Sequence, residues 1–344
     1  MGQPMSSSDK VITALVTGGG GFLGKALCKA LKERGYRVKS ISRGHYPELD
    51  TMGVESIQGD LAHVAAVEGA AKDCDVIFHV AAKPGVWGSY NSYYSANVLG
   101  TKNVIHACLL HKIPYLVYTS SPSVTFSGVD QINVDESEPI PGTFLAHYPA
   151  TKALAEKSVI EAHGAELKTI SLRPHLIWGP GDNHLVPRIL KLGAKGRIRF
   201  VGQHGKLIDT VYIDNAVDAH LLAFDRLRKV PDIVGGKSYF VTNQEPWAHE
   251  AVINGILKAG GLPTVTARVP AWLAYFGGWL LEVIYKILRR DDDPPMTRFV
   301  ARQLATAHWF NPLAAQDDLG YIPRVPMREG MSRLAKSLRG TASN

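Results

Sequence analysis

The sequence predicts an α/β fold, a doubly wound parallel sheet followed by a smaller, mixed C-terminal region that would hold a substrate. Three observations predict it. Short apolar runs rich in β-branched residues alternate with longer segments of helical period as far as Pro174. A glycine-rich turn, "TGGGGFLG" at 17–24, joins the first of those runs to the first helix. Beyond Pro174 the alternation gives way to Pro- and Gly-rich stretches, with no linker between the halves. Together these describe a Rossmann-type sheet whose carboxyl edge is covered by the second half of the chain.

Each element follows in order. Val11–Val16, "VITALV", reads as a buried parallel strand. The helix "KALCKALKERG" ends at Gly35, and "YRVKSIS" is the second strand. "VESIQGD" gives a third strand, a helix covers about Ala62 to Lys72, and "DVIFHVAA" is the fourth strand. "ANVLGTKNVIHACLLH" is helical, "IPYLVYTSS" a strand, "HYPATKALAEKSVIEAHG" a long helix and "LKTISLRP" a strand again. "SYFVTN" returns one more strand to the sheet. The expected organisation is a flexible tail over 1–10, a dinucleotide-binding domain over 11–180 and a substrate-binding region over 181–338. Within that region a strand and helix around 207–245 return to the first sheet, and 339–344 form a tail.

Composition bounds the function. Apolar content of 45% and charged content of 20% are those of a globular protein. The net charge of +7 is dispersed, without the basic run of a nucleic-acid arm; an anionic cofactor or substrate accounts for it. The first ten residues lack the apolar run expected of a secretion signal, and Cys28, Cys74 and Cys108 lack metal-like spacing. They read as reduced core thiols of a cytoplasmic protein, and no metal site is expected.

Gly18, Gly21 and Gly24 stand in a Gly-x-x-Gly-x-x-Gly spacing at a strand-to-helix turn, which suits a pyrophosphate at a helix N-terminus. Phe22 and Leu23 belong to the same cradle. The second strand ends in "VKSISRGHY", with Ser42 and Arg43 and no carboxylate to hold ribose hydroxyls. Arg43 is either a partner for a 2′-phosphate, favouring NADP(H) over NAD(H), or a solvated surface arginine. Asp60 is placed to accept from the adenine amino group, with Leu61, Ala81 and Ala82 beside it at strand ends.

Tyr148 and Lys152 are four apart, so on a helix they share a face. Ser121 ends the preceding strand. A carbonyl taking a hydride needs a proton donor and a second hydrogen-bond donor, which Tyr148 and Ser121 supply. The Lys152 charge is expected to lower the tyrosine's proton affinity. Asn97 is expected either to hold a water that relays protons to Lys152 or to cap a helix.

"TGGGGFLG", Gly59–Asp60, "HVAA", "NVLGTKNV", "YTSSPSV", "YPATK" and "RPHLIWGPGD" together resemble the extended short-chain dehydrogenase/reductases, within them the 3β-hydroxysteroid dehydrogenase/isomerase branch. The resemblance implies that Ser121 and Tyr148 touch the substrate oxygen, that Lys152 holds the nicotinamide ribose, and that Pro174 flanks the nicotinamide. "RGHYPEL", "AAKPGVWGSY", "SVTFSGVD", "LRPHLIWGPGDNHLVPR" and "MTRFVARQLATAHWF" resemble more closely the 2-alkyl-3-oxoalkanoate reductases of bacterial long-chain olefin biosynthesis. Sterol-4α-carboxylate 3-dehydrogenases share some of these stretches. Both families imply a hydrophobic substrate with a carboxylate one carbon from the reacting centre. They also imply a homodimer and, for the olefin pathway, a complex with partner enzymes.

A carboxylate needs a cation, and Lys83 and then Arg188 are the candidates; either is otherwise a surface charge. His175 and Trp178 either line the pocket or pack in the core. "VPAWLAYFGGWLLEVIYKIL", Val269–Leu288, is apolar around most of a helix, with a narrow stripe of Gly278, Glu282, Lys286 and Arg289. Its longest uncharged run is too short to span a bilayer. The segment 269–290 is expected to pack within the substrate region, to meet a partner, or to touch a membrane peripherally.

Overall fold

The computed structural model describes residues 11–290 and 292–342. Seven parallel strands form the main sheet, in the order Ser238–Val241, Lys168–Pro174, Tyr115–Thr119, Val76–His79, Thr13–Thr17, Arg37–Ser42 and Glu55–Gln58. The chain starts in the middle and winds outward both ways, so Thr13–Thr17 pairs with Arg37–Ser42 on one side and Val76–His79 on the other. Connections on the two sides of that strand leave on opposite faces, which opens a crevice at its carboxyl end.

Alternation along the central strands builds two cores. Val16, Phe78, Val117 and Leu172 face one layer; Leu15, Ile77, Leu116 and Tyr118 face the other. The first layer receives the helix Ile213–Lys229, whose Phe224 meets Phe78 and Tyr115 edge-on. That helix and the strand Ser238–Val241, parallel to Lys168–Pro174, carry the second half of the chain to the first sheet. Cys28, Cys74 and Cys108 are free and buried, and burial pushes the Cys28 thiol up to about 12.

Four differences from expectation bear on the site. The helix expected to begin at Ala96 begins at Tyr90, opens into a π turn over Tyr94–Leu99 and continues over Gly100–Leu110. A strand, Gln131–Val134, stands where none was expected. It is the edge of a second sheet ordered Trp247–Ala248, Leu207–Ile208, His308–Phe310 and Gln131–Val134. The first half of the chain therefore contributes to the second half's sheet, which blurs a boundary at 180. At the C-terminus the helix Met327–Ala342 runs past 338, so 339–342 are its last turn rather than a tail. The expected N-terminal tail and residues 343–344 lie outside the described residues.

The fourth difference is the helix Ala271–Ile287. Its buried residues are Ala274, Gly278, Glu282 and Tyr285. Half of the expected polar stripe thus faces inward. A Cβ on Gly278 would stand 2.6 Å from the carbonyl carbon of Thr297, so glycine is what lets the next helix, Arg298–Ala305, approach. Glu282 accepts from the Arg298 amide at 2.7 Å and from its Nε at 2.8 Å. Most of the large apolar residues point away from the protein, with Trp272 71% and Ile287 73% exposed. Among the described residues no helix is long and apolar enough to cross a membrane.

Candidate active site

A cleft of about 570 Å³ lies along the carboxyl edge of the main sheet, from the glycine turn to Tyr148. Gly18 sits at φ 73°, and a Cβ there would come within 3.0 Å of Ala81. At Gly24 a Cβ would meet the Gly18 carbonyl oxygen at 2.1 Å. Gly21 precedes the helix Phe22–Glu33 without a side-chain cap, leaving the first-turn amides for a ligand in the cleft that Gly21, Phe22 and Leu23 line. Ser42, Arg43, Asp60, Leu61, Ala81 and Ala82 line the same cleft. Asp60 turns one carboxylate oxygen to the Ala62 amide at 2.9 Å. A glycine cradle, an uncapped helix start and a run of polar strand ends fit a dinucleotide.

Ser121, Tyr148 and Pro174 meet at the other end of the cleft. Ser121 closes the strand Tyr115–Thr119 and caps the short turn Pro122–Thr125, its Oγ 2.9 Å from Ser123 Oγ. Tyr148 lies in the first turn of the helix His147–Glu161, with its phenol beside the Ser121 hydroxyl in the cleft. Burial raises the Tyr148 phenol above its ordinary value, and the Ser121 hydroxyl pulls it back only in part. Lys152 is fully buried one turn on and donates to the Thr119 carbonyl at 2.6 Å, with its ammonium over the Tyr118 ring at 4.2 Å. Burial lowers its pKa to about 7, opposed by Glu156. Glu156 is itself held by Arg173 through two hydrogen bonds of 2.6 and 3.0 Å. The net shift of Tyr148 is upward, against the expected lowering: burial dominates the phenol, and the Lys152 ammonium is turned to Thr119.

Asn97 also differs from expectation. It lies inside the π turn, away from a helix start, and its amide is occupied. Oδ1 accepts from the Lys83 amide at 2.7 Å, while Nδ2 donates to the Lys83 carbonyl at 3.3 Å and to Thr151 Oγ1 at 3.0 Å. Asn97 thereby fixes the backbone of Lys83 to the Tyr148 helix. Lys83 lines the cleft, its Nζ donating to Ser92 Oγ at 2.9 Å and lying 5.0 Å from the Tyr93 ring centre.

The other substrate candidates separate. His175 is in the cleft wall; the Asp209 carbonyl at 2.6 Å can only accept, so Nδ1 carries the proton. Burial, reinforced by His308, holds the ring well below its ordinary pKa, so it is neutral and offers an acceptor rather than a cation. Leu176, next to it, takes φ 45°, a left-handed turn that redirects the chain at the cleft floor. Trp178 is fully buried, donates to Thr210 Oγ1 at 3.0 Å and belongs to the core, outside the cleft lining. Arg188 is exposed on the helix Leu185–Ala194, also outside the lining. Among the described residues no cluster fit to hold a metal ion occurs.

Phe299 and Gln303, on the helix Arg298–Ala305, form a wall the sequence reading left without a role. Their only signal was membership of "MTRFVARQLATAHWF". Tyr46 was missed too. Its ring covers Gly20, where a Cβ would stand 2.2 Å from it.

A glycine turn at the sheet's switch point, with a serine and a Tyr–Lys helix at the facing strand end, defines a class: an NAD(P)-dependent oxidoreductase of the short-chain dehydrogenase/reductase type. The chain belongs to the 3-beta hydroxysteroid dehydrogenase/isomerase family, whose model matches residues 15–270. It is 49% identical to a 2-alkyl-3-oxoalkanoate reductase of Shewanella oneidensis over 96% of this chain and 87% of that one. It is 32% identical to the sterol-4-alpha-carboxylate 3-dehydrogenase, decarboxylating, of Mus musculus, over 94% of this chain and 90% of that one. A solved structure of MoeE5 in complex with UDP-glucose and NAD superposes with a TM-score of 0.71 at 25% identity, covering 96% of this chain and 99% of that one.

Proposed function

We propose that the protein is an NADPH-dependent reductase of a 2-alkyl-3-oxoalkanoic acid, acting in long-chain olefin formation. The observation that carries the reading is the meeting of Ser121 and Tyr148 in a cleft of a chain nearly half identical to a reductase of that name. NADPH, when bound, supplies the hydride for the 3-oxo carbon. Tyr148 gives its phenolic proton to the carbonyl oxygen, and Ser121 donates a second hydrogen bond to the same atom, so the ketone leaves as an alcohol. The raised proton affinity of Tyr148 suits a group that must stay protonated until the oxygen becomes basic. Lys152 holds the nicotinamide ribose, and Pro174 flanks the ring. Lys83 is the cation for the carboxylate, since it lines the cleft while Arg188 does not. Arg43 takes the 2′-phosphate.

A β-keto acid loses carbon dioxide readily in water. Handing it between enzymes within a complex, by a homodimer of this chain, is part of the same proposal. The second reading, an NAD-dependent sterol-4α-carboxylate 3-dehydrogenase, is favoured by the likeness to the mouse enzyme.

The purified protein is incubated with a freshly made 2-alkyl-3-oxo acid and either NADPH or NADH, and in reverse with the hydroxy acid. The expected result is turnover with NADPH, a loss of about 10²–10⁴ in kcat for Tyr148→Phe with unchanged NADPH affinity, and for Arg43→Ala a KM rise of about tenfold confined to NADPH. No oxidation of NADPH above background, or turnover of a sterol acid with NAD instead, overturns the reading.

A further inference from the structure

The helix Ala271–Ile287 is inverted relative to an ordinary surface helix, and its outward face is built for one kind of neighbour. Trp272, Leu273, Phe276, Trp279, Leu280, Ile284 and Ile287 are all exposed. Its glycine and glutamate are inside, spent on Thr297 and Arg298. Tryptophan at such a position is at home where one side is apolar and the other wet.

Charge decides between the candidate occupants. The C-terminal end of the helix carries exposed Lys286 and Arg289, and Arg302 lies over the Tyr275 ring at 4.8 Å on its flank. At the N-terminal end, the strand Arg268–Val269 pairs with Phe200–Val201, which exposed Lys195, Arg197 and Arg199 precede. None of these six cations has a carboxylate partner among the described residues. Of the neighbouring carboxylates, Glu250 is engaged by Arg268, Glu282 by Arg298 and Asp292 by Arg290, while exposed Asp293 adds one negative charge beyond the C-terminal end of the helix. The six unpaired cations outweigh Asp293, so a second copy packed on this face would set a net like charge against itself. A surface of lipid phosphates would not.

We propose that the outward face of this helix docks in the plane of an anionic phospholipid bilayer, apolar side chains in the acyl boundary and flanking cations on the phosphates. The docking surface adjoins the cleft. The helix that packs on the inner side of Ala271–Ile287 is the one that supplies Phe299 and Gln303 to the cleft wall. Trp87, next in sequence to the cleft-lining Val86, donates to the Arg290 carbonyl at 2.8 Å and meets Tyr285 edge-on at 6.0 Å. A docked molecule would therefore have its substrate entrance at the level of the lipid. The proposal stands on the surface itself and holds whatever hydrophobic acid the cleft takes.

The test is co-sedimentation of the full chain with unilamellar vesicles of phosphatidylglycerol and phosphatidylethanolamine, against vesicles of phosphatidylcholine. The chain is expected to pellet with the anionic vesicles, less so as salt rises. Trp272→Glu with Trp279→Glu is expected to cut the bound fraction at least tenfold while Tm and NADPH binding stay unchanged. Lys286→Glu with Arg289→Glu is expected to erase the preference for anionic lipid. Quenching of tryptophan fluorescence in the unaltered chain by brominated lipid gives a readout that needs no variant. A chain left in the supernatant with both vesicles overturns the proposal, as does equal sedimentation of the tryptophan variant. Conversion of a dimer to a monomer by that variant, without vesicle binding by the parent, assigns the face to a second copy and also overturns it.

Discussion

Lys152 shows how one buried side chain sets opposing demands on stability and chemistry. The ammonium is fully buried against Thr119 and the Tyr118 ring, with Glu156 as its nearest charge support. Its pKa in the folded protein is about 7, against an ordinary value of 10.5. Between those values the unfolded chain binds the proton that the folded chain releases, so this group's contribution to stability rises with pH across that window. Below about 7 the lysine is charged in both states and folding carries the full cost of burying it. Lys152→Met is therefore expected to raise Tm relative to the parent at pH 6, with the difference shrinking from pH 7 towards 10, while turnover falls sharply. Thermal melts at a series of pH values check this; a difference that grows with pH would contradict the burial account. The residue pair itself was legible, because four-residue spacing fixes a shared helix face. Its hydrogen bond to Thr119 was not, because no local pattern says which carbonyl a long side chain reaches. Trp178 and His175 illustrate the same limit: adjacent in one motif, they part company where the chain turns at Leu176.

The helix Ala271–Ile287 carries the lesson of the next scale. A wheel drawn from sequence correctly groups Gly278 with Glu282, but grouping is not orientation. The usual rule turns the polar stripe to water. Here half of the stripe is inside, because Gly278 is the point of backbone contact with Thr297 and Glu282 caps the helix Arg298–Ala305 through its first amide. A methyl group at 278 has nowhere to go, since the atoms it meets are main chain. Gly278→Ala is expected to cost about 1–3 kcal/mol, read as a lower urea midpoint. The helix pair lines the cleft through Phe299, so KM for the acid should rise with it. An unchanged midpoint would mean that the two helices separate at no cost.

On the scale of the molecule, the two halves are stitched rather than juxtaposed. Gln131–Val134 leaves the first half to pair with His308–Phe310, and Asp130 accepts from the Ala307 amide at 2.8 Å. Ser238–Val241 and Ile213–Lys229 go the other way, into the first sheet and its core. Neither sheet is complete without a strand from the other half. Calorimetry is expected to show one unfolding transition, and residues 1–180 expressed alone are expected to lack one; two resolved transitions in the full chain would refute this.

The sequence by itself determined the class of fold, the glycine turn and the Ser–Tyr–Lys set, because those depend on period, on steric exclusion at tight turns and on short fixed spacings. Tertiary structure alone decided the strand at 131–134, the cation left facing the cleft, the neutral state of His175 and the outward turn of Trp272 and Trp279. Each of these depends on what a residue packs against far along the chain. That information is shared between distant segments and belongs to no single stretch of the sequence.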